Sequence, residues 1–251
     1  MSAAPVVRIA MWSGPRNIST AMMRAFGQRA DCAVTDEPFY AAYLAATKLV
    51  HPMTEAVLAS QPTDWRTVAA TLLGPPPGAR PVWYQKLMTH HMLPAFGRDW
   101  TDGVVNAFLI RAPEAALMSY AQKRGDFSLD EIGLPAQADL FDRAADRLGH
   151  APPVVEAQDV LANPAAMLSA LCAAVGVPFD SAMLAWPPGR RTTDGVWAPA
   201  WYQAVERSTG FAAPRAEAGF DDLPDALKPI AAAARPIYDR LAAHRLTPGG
   251  A

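Results

Sequence analysis

Trp12-Ser13-Gly14-Pro15-Arg16-Asn17-Ile18-Ser19-Thr20 is the stretch on which the reading of this chain turns. It follows an apolar run over residues 6–11 and precedes an amphipathic stretch over 21–29. A buried strand, a turn holding Gly and Pro, and a hydroxyl pair opening a helix together form the layout of a phosphate cradle. The first backbone N–H groups of a helix lack intrahelical partners, and the helix dipole adds partial positive charge at that end. Ser19 and Thr20 can add hydroxyl donors, and Arg16 a planar cationic fork. The competing reading is an ordinary strand–helix turn with Ser as N-cap. An ATPase loop is excluded. A Walker A sequence needs Gly, four residues, then Gly-Lys-Ser/Thr, and here the second Gly and the Lys are absent.

Outward from this loop, apolar runs at 32–35, 82–85, 104–110 and 154–156 read as further buried strands. Helical patterns separate them at 19–29, 39–48, 65–73, 114–123, 136–148 and 164–175, and a last one covers 222–244. Strands alternating with helices predict an α/β fold, a three-layer α/β/α arrangement around a central parallel sheet. Gly74-Pro75-Pro76-Pro77-Gly78 reads as a rigid surface loop, because the strands on either side belong to one sheet. The expectation is a single domain over 1–251, with a core at about 6–211 and a helical C-terminal extension over 212–251.

Ligands of such sheets bind beyond the carboxyl ends of the strands. Those ends carry Arg16, Ser19 and Thr20 after the first strand and Asp36-Glu37 after the second. Lys86, His90 and His91 mark the end of the third, and Arg111 follows the fourth, with Ser119 eight residues on. Arg111 and Ser119 could reach one anion. Glu37 could act as a general base, or Asp36 and Glu37 could cap the next helix. A histidine with a near-neutral pKa suits deprotonation of an alcohol. Adjacent His90 and His91 do not suggest a metal site, because neighbours on a helix or strand point apart. His51, His150 and His244 show no companion and receive no role. Arg190 and Arg191, in a Gly-flanked loop, could grip a phosphate or form a solvated basic loop. Trp197 could stack on a base or belong to the core.

Composition sets the outer bounds. The chain has 251 residues, of which 51% are hydrophobic and 18% charged, ample material for a globular core. A net charge of −2 argues against a general nucleic-acid binder. The two cysteines, Cys32 and Cys172, sit in apolar surroundings and read as buried free thiols, with no disulfide framework or metal site. The N-terminal apolar run is too short for a membrane span and is not a signal peptide, and no other stretch reaches spanning length without a charge or Pro. The expectation is a soluble, cytoplasmic protein.

Taken together, the segments resemble the sulfotransferase family, as a divergent bacterial-type member. Pro15-Arg16-Asn17-Ile18-Ser19-Thr20 is similar to the family's 5′-phosphosulfate loop, usually Pro-Lys/Arg-Ser-Gly-Thr-Thr. Arg111 and Ser119 match the 3′-phosphate motif, with its spacing of eight. The segment from Gln85 to His90, with Lys86, resembles the one that supplies the base in cytosolic members. Glu37 sits where bacterial and membrane-associated members place a catalytic Glu. Val155-Glu156-Ala157-Gln158-Asp159 resembles a structural Tyr-Glu-Asp-Leu stretch, and Arg190-Arg191 with Gly195 and Trp197 fits the late Arg-Lys-Gly-x-x-Gly-x-Trp spacing. Five departures stand out, among them Val196 and Ala198 in place of the late motif's Asp and Lys. Ile18 replaces the loop Gly, which predicts a tilted or narrower cradle. Asn17 replaces Ser, and Thr192 replaces the first Gly of the late motif.

The resemblance implies in-line transfer of a sulfuryl group from 3′-phosphoadenosine 5′-phosphosulfate (PAPS) to a hydroxyl of a small-molecule acceptor, with no metal. It implies Glu37 as the base, with His90 second. Arg16, Ser19, Thr20 and backbone N–H groups would stabilise developing charge, and Arg111, Ser119 and Arg190 or Arg191 would hold the 3′-phosphate. No nucleic-acid partner and no membrane span are expected, and a homo-oligomer stays open. The rival readings are a P-loop small-molecule kinase using ATP, a non-catalytic nucleotide-binding module on the same fold, and a structural interaction protein.

Overall fold

A computed structural model describes residues 6–122 and 127–248. Five strands, β1 (Val7–Ser13), β2 (Cys32–Asp36), β3 (Val82–Met88), β4 (Val105–Ile110) and β5 (Val154–Glu156), form one sheet in the order β2-β3-β1-β4-β5. Every pairing is parallel. The α-helices are α1 (Ser19–Phe26), α2 (Tyr40–Thr47), α3 (Thr54–Ser60), α4 (Trp65–Leu73), α5 (Pro113–Ala121), α6 (Leu134–Leu148), α7 (Ala157–Ala162), α8 (Pro164–Ala174), α9 (Ala198–Trp201), α10 (Gln203–Glu206) and α11 (Lys228–Ala242). No helix among the described residues is long and apolar enough to cross a membrane.

The alternation of side chains along each strand divides the core between two faces. Ile9, Met11, Tyr84, Ala107 and Leu109 pack with Met22, Met23 and Phe26 of α1 and with Met167, Leu168 and Leu171 of α8. Their neighbours Ala10, Trp12, Trp83, Phe108 and Ile110 face the other way, onto α4, α6 and the end of α11. Parallel strands buried on both faces carry near-continuous apolar runs, which is why they stand out in the sequence. Burial pushes the Cys32 thiol up to about 12 and the Cys172 thiol to about 11, so both are inert free thiols in the core.

The expected elements are present, with shifted ends. β1 runs two residues further than read, through Trp12 and Ser13, and α1 stops at Gly27 rather than continuing to Arg29. The fifth helix covers Pro113–Ala121, and the Lys123 end of its expected span lies outside the described residues. The C-terminal helix starts at Lys228, preceded by a 3-10 turn over Phe220–Asp222. The shift that matters most for the site is in β3, which continues to Met88 instead of ending at Gln85. Lys86 is therefore a fully buried strand residue, not a strand-end group. A charge reads as a surface marker, but this one is neutralised inside the fold.

The chain runs from β1 to β2 and β3 on one side, then crosses to β4 and β5 on the other. The crevice at the carboxyl end of β1 is thus a switch point, where open α/β sheets bind ligands. Gly14 opens the loop there, and a Cβ on it would lie 2.7 Å from the Ile132 carbonyl oxygen. That close approach admits no side chain.

Candidate active site

Loop 14–18 leaves β1 and reverses into α1. Arg16 adopts left-handed backbone angles, with φ of 57°. The conformation is held from outside: Arg111 Nη1 donates to the Arg16 carbonyl at 2.6 Å. Asn17 closes the turn by accepting from the Ile18 N–H at 2.9 Å and donating to the Leu109 carbonyl at 3.1 Å. Ile18 has φ of −82°, so the loop does not need glycine there, and its side chain packs on the core beside α1. Ile18 occupies the N-cap position with no side-chain capping bond, and Ser19 is the first helical residue. The ordinary Ser-capped turn is not what forms. The uncapped N-terminus of α1 faces a cleft of about 360 Å³.

Pro15, Arg16, Asn17, Ile18, Ser19 and Thr20 all line that cleft, as do Arg111 and Ser119. Arg16 Nε donates to Ser119 Oγ at 3.0 Å, so groups from the ends of β1 and β4 meet in one place. Burial, and next the like charge of Arg111, lower the pKa of Arg16. Two guanidiniums gathered in one cleft repel each other, and an anion between them relieves that repulsion.

The other wall is built around Lys86, which faces Asp36 across the β2–β3 pair. Its ammonium donates to Asp36 Oδ1 at 2.9 Å, Glu37 Oε1 at 2.5 Å and Tyr202 Oη at 2.7 Å. Tyr202 donates in turn to the Asp36 carboxylate at 2.8 Å and accepts from Trp197 Nε1 at 3.1 Å. The Gly195 N–H completes the shell of Asp36 at 3.0 Å. Asp36 is thus a buried counter-charge and not a helix cap. Burial pulls the Lys86 pKa down, but Asp36 and Glu37 outweigh it, and the net shift is upward. Burial and the Asp36 charge raise Glu37 against the pull of Lys86, for a net upward shift. Burial and then the two carboxylates hold Tyr202 protonated.

Glu37, Lys86 and Tyr202 line the cleft, and Glu37 is the carboxylate of this cluster that does so. It too has left-handed angles, with φ of 40°. Its N–H donates to the Lys86 carbonyl at 3.0 Å, and Gln61 Nε2 donates to its own carbonyl at 3.1 Å. A strained residue persists only when its surroundings over-determine it, and such residues gather at functional sites. Two of the chain's positive-φ residues, Arg16 and Glu37, flank this cleft.

His90 and His91 share a 3-10 turn, Thr89–His91, and both line the cleft. That turn does not splay neighbours as a strand does, and their rings meet edge-on with centroids 4.3 Å apart. Burial, then the neighbouring His90, His51 and Lys86, keep His91 neutral. His51 has a companion after all. Its Nδ1 lies 2.8 Å from Tyr40 Oη, and it lines the same cleft. This contact joins residues of α2 and the loop after it, eleven positions apart, with no motif to mark it.

Arg190, Arg191 and Trp197 are not brought to the cleft. Arg190 is exposed beside Glu206, and Arg191 donates to carbonyls of its own loop, Pro187 among them. Asp194 pairs with the buried Arg24 at 2.7 Å and so fastens this loop to α1. Trp197 is buried over Gly195, whose hypothetical Cβ would lie 2.1 Å from the indole ring. The late motif therefore serves packing: it holds Tyr202 and Gly195 against Asp36. Gly195→Ala is expected to cost about 1–3 kcal/mol, the scale of an overpacked core site. Urea unfolding of the variant against the parent measures it, and equal midpoints would contradict the packing role. Glu156, in the expected structural stretch, is also structural, accepting from the Gln158 and Asp159 N–H groups at the start of α7.

Known proteins share this architecture. Two Arabidopsis thaliana proteins, branched-chain-amino-acid aminotransferase-like proteins 2 and 1, are 32% and 33% identical over 204 residues, 81% of this chain. The chain spans 36% of their length. Among solved structures, a sulfotransferase domain from the Synechococcus PCC 7002 olefin synthase superposes with a TM-score of 0.53 at 17% identity, covering 98% of both chains. A sulfotransferase from Alicyclobacillus acidocaldarius superposes with a TM-score of 0.54 at 15% identity and the same coverage. The sulfotransferase domain of the curacin biosynthetic pathway gives 0.52 at 15%, covering 93% of this chain and 99% of that one. These likenesses establish a shared α/β fold. The profile of the sulfotransferase domain matches residues 7–245, nearly the whole chain, and the chain belongs to that family.

Proposed function

We propose that this sulfotransferase-family chain moves a sulfuryl group from PAPS to the hydroxyl of a small-molecule acceptor. The observation that carries the reading is the Arg16–Ser119 hydrogen bond, with Arg111 bonded to the same loop. It joins the two expected anion grips, from β1 and β4, in one cleft that also receives Glu37. Two like-charged guanidiniums at an uncapped helix N-terminus fit a ligand with two separated anionic groups. PAPS offers these, and supplies the sulfuryl group on a phosphate leaving group.

The chain's residues divide the work. Arg111 and Ser119 hold the 3′-phosphate. Arg16, Ser19, Thr20 and the first N–H groups of α1 face the 5′ end, where negative charge grows as the bond to the leaving phosphate breaks. Donors fixed in place before that charge develops are usually the largest single catalytic term. Glu37 takes the proton of the acceptor hydroxyl. Its raised pKa makes it a better base than an ordinary carboxylate, and the Lys86 contact fixes its position. His90 is the alternative base. Tyr40, His51 and His91 line the acceptor side.

Incubation with PAPS and a panel of hydroxylated acceptors, following release of adenosine 3′,5′-bisphosphate, tests the function. Acceptor-dependent release supports it, whereas consumption of ATP with phosphorylated products would replace it with phosphotransfer. Arg111→Ala is expected to weaken adenosine 3′,5′-bisphosphate binding by about 1.5–3 kcal/mol, the scale of a charge-assisted hydrogen bond. Equal affinity of variant and parent in calorimetry would remove Arg111 from the 3′-phosphate site.

A further inference from the structure

Arg111 already holds a carboxylate. Its Nε donates to Glu217 Oε1 at 2.8 Å, and both side chains are largely buried. Glu217 lies 106 positions away, on the irregular segment 212–219 that follows the cleft-lining residues Phe211 and Ala212. A ring contact precedes the segment and a capped turn follows it. Phe211 packs edge-on against Trp186, with centroids 5.2 Å apart, and the Gly219 N–H donates to Asp222 Oδ2 at 2.8 Å. Between them, residues 212–216 are exposed, and Gln158 Nε2 donates to the Arg215 carbonyl at 3.0 Å. Glu217 is therefore carried on a tethered strap, with its carboxylate on the guanidinium edge that a phosphate would use.

We infer that Glu217 is a built-in competitor for the nucleotide's 3′-phosphate, a residue that sets donor affinity and hastens release of the spent bisphosphate. This rests on the assignment of Arg111 to that phosphate. A phosphate dianion carries more charge and more acceptor oxygens than a carboxylate, so it displaces Glu217 from Arg111. The displacement subtracts from the affinity of every 3′-phosphorylated ligand. A nucleotide without that group leaves the Arg111–Glu217 pair intact and bears no such cost. The device also works in reverse. As the product leaves, the tethered carboxylate returns to Arg111 without diffusing, which discourages recapture.

The discriminating experiment is titration of parent and Glu217→Gln with adenosine 3′,5′-bisphosphate and, separately, with ADP. The amide keeps the size of the side chain and removes its charge. The expected result is about tenfold tighter bisphosphate binding with a slower off-rate, and ADP affinity within about twofold of the parent; tenfold is the scale of one weakened charge-assisted bond. Unchanged or weaker bisphosphate binding in Glu217→Gln overturns the competitor role. Equal tightening for both nucleotides also overturns it, since that outcome reports a general loss of negative charge at the cleft. A parent protein that does not distinguish the two nucleotides overturns the donor assignment itself, and the competitor role with it. Parent and variant titrations thus separate the two failures.

Discussion

Lys86→Met is expected to destabilise the protein by about 3–5 kcal/mol, the cost of removing one partner from a buried ion pair. The methionine side chain nearly matches the lysine stem in volume, so the loss is electrostatic and not a cavity. Lys86 is 1% exposed and is bonded to both Asp36 and Glu37. Without the ammonium, Asp36 keeps its donors from Tyr202 and Gly195 but loses its counter-charge. Glu37 also loses its ammonium partner, and that part of the loss should shrink as pH falls through the raised pKa of Glu37, because its protonated carboxyl needs no counter-charge. Urea denaturation of parent and variant at several pH values measures this. A variant as stable as the parent at pH 7 would mean that Lys86 is not the support of this wall.

Glu37→Gln is expected to lower turnover by about 10²–10⁴-fold, the usual contribution of a general base. Gln keeps the shape and can still meet Lys86, so adenosine 3′,5′-bisphosphate affinity should stay near the parent's. The pH profile carries a second test. A base must be deprotonated to act, and Glu37 has its pKa raised, chiefly by burial. Activity of the parent should therefore rise through an acid limb above the ordinary glutamate value of about 4.3. Folding stability runs the opposite way: the folded state holds the proton more tightly, so this residue's contribution weakens as pH climbs from the unfolded toward the folded pKa. Unchanged turnover in Glu37→Gln would move the base to His90 or another cleft residue.

Much of this architecture is legible locally. Strands buried on both faces announce themselves as apolar runs, and the alternation with helices dictates a parallel sheet. The switch-point rule then gathers Arg16, Glu37 and Arg111 at one edge before any contact is known. What is not legible depends on partners far apart in the chain. Lys86 reads as the end of a strand because charges usually mark surfaces, and nothing local shows that Asp36, fifty positions away, neutralises it. Tyr202 and Gly195 reach Asp36 across more than 150 residues. Short helices such as α3, α9 and α10 carry too few turns for a periodic signal. Ile18 misleads in the opposite way. It replaces a glycine in the expected motif, yet the left-handed position in this loop is Arg16. Arg190 and Arg191 have the spacing of an anion grip, but the fold spends their loop on fastening α1 and Asp36. Glu217 has no motif at all and is found only through its contact with Arg111.

The most direct test of the account is a calorimetric titration of the parent protein with adenosine 3′,5′-bisphosphate, ADP and ATP, each with and without Mg²⁺. The account predicts micromolar binding of the bisphosphate that does not depend on Mg²⁺, with ADP and ATP weaker by tenfold or more, the scale of the Arg111 interaction. A preference for ATP that requires Mg²⁺, or no discrimination among the three, would contradict it.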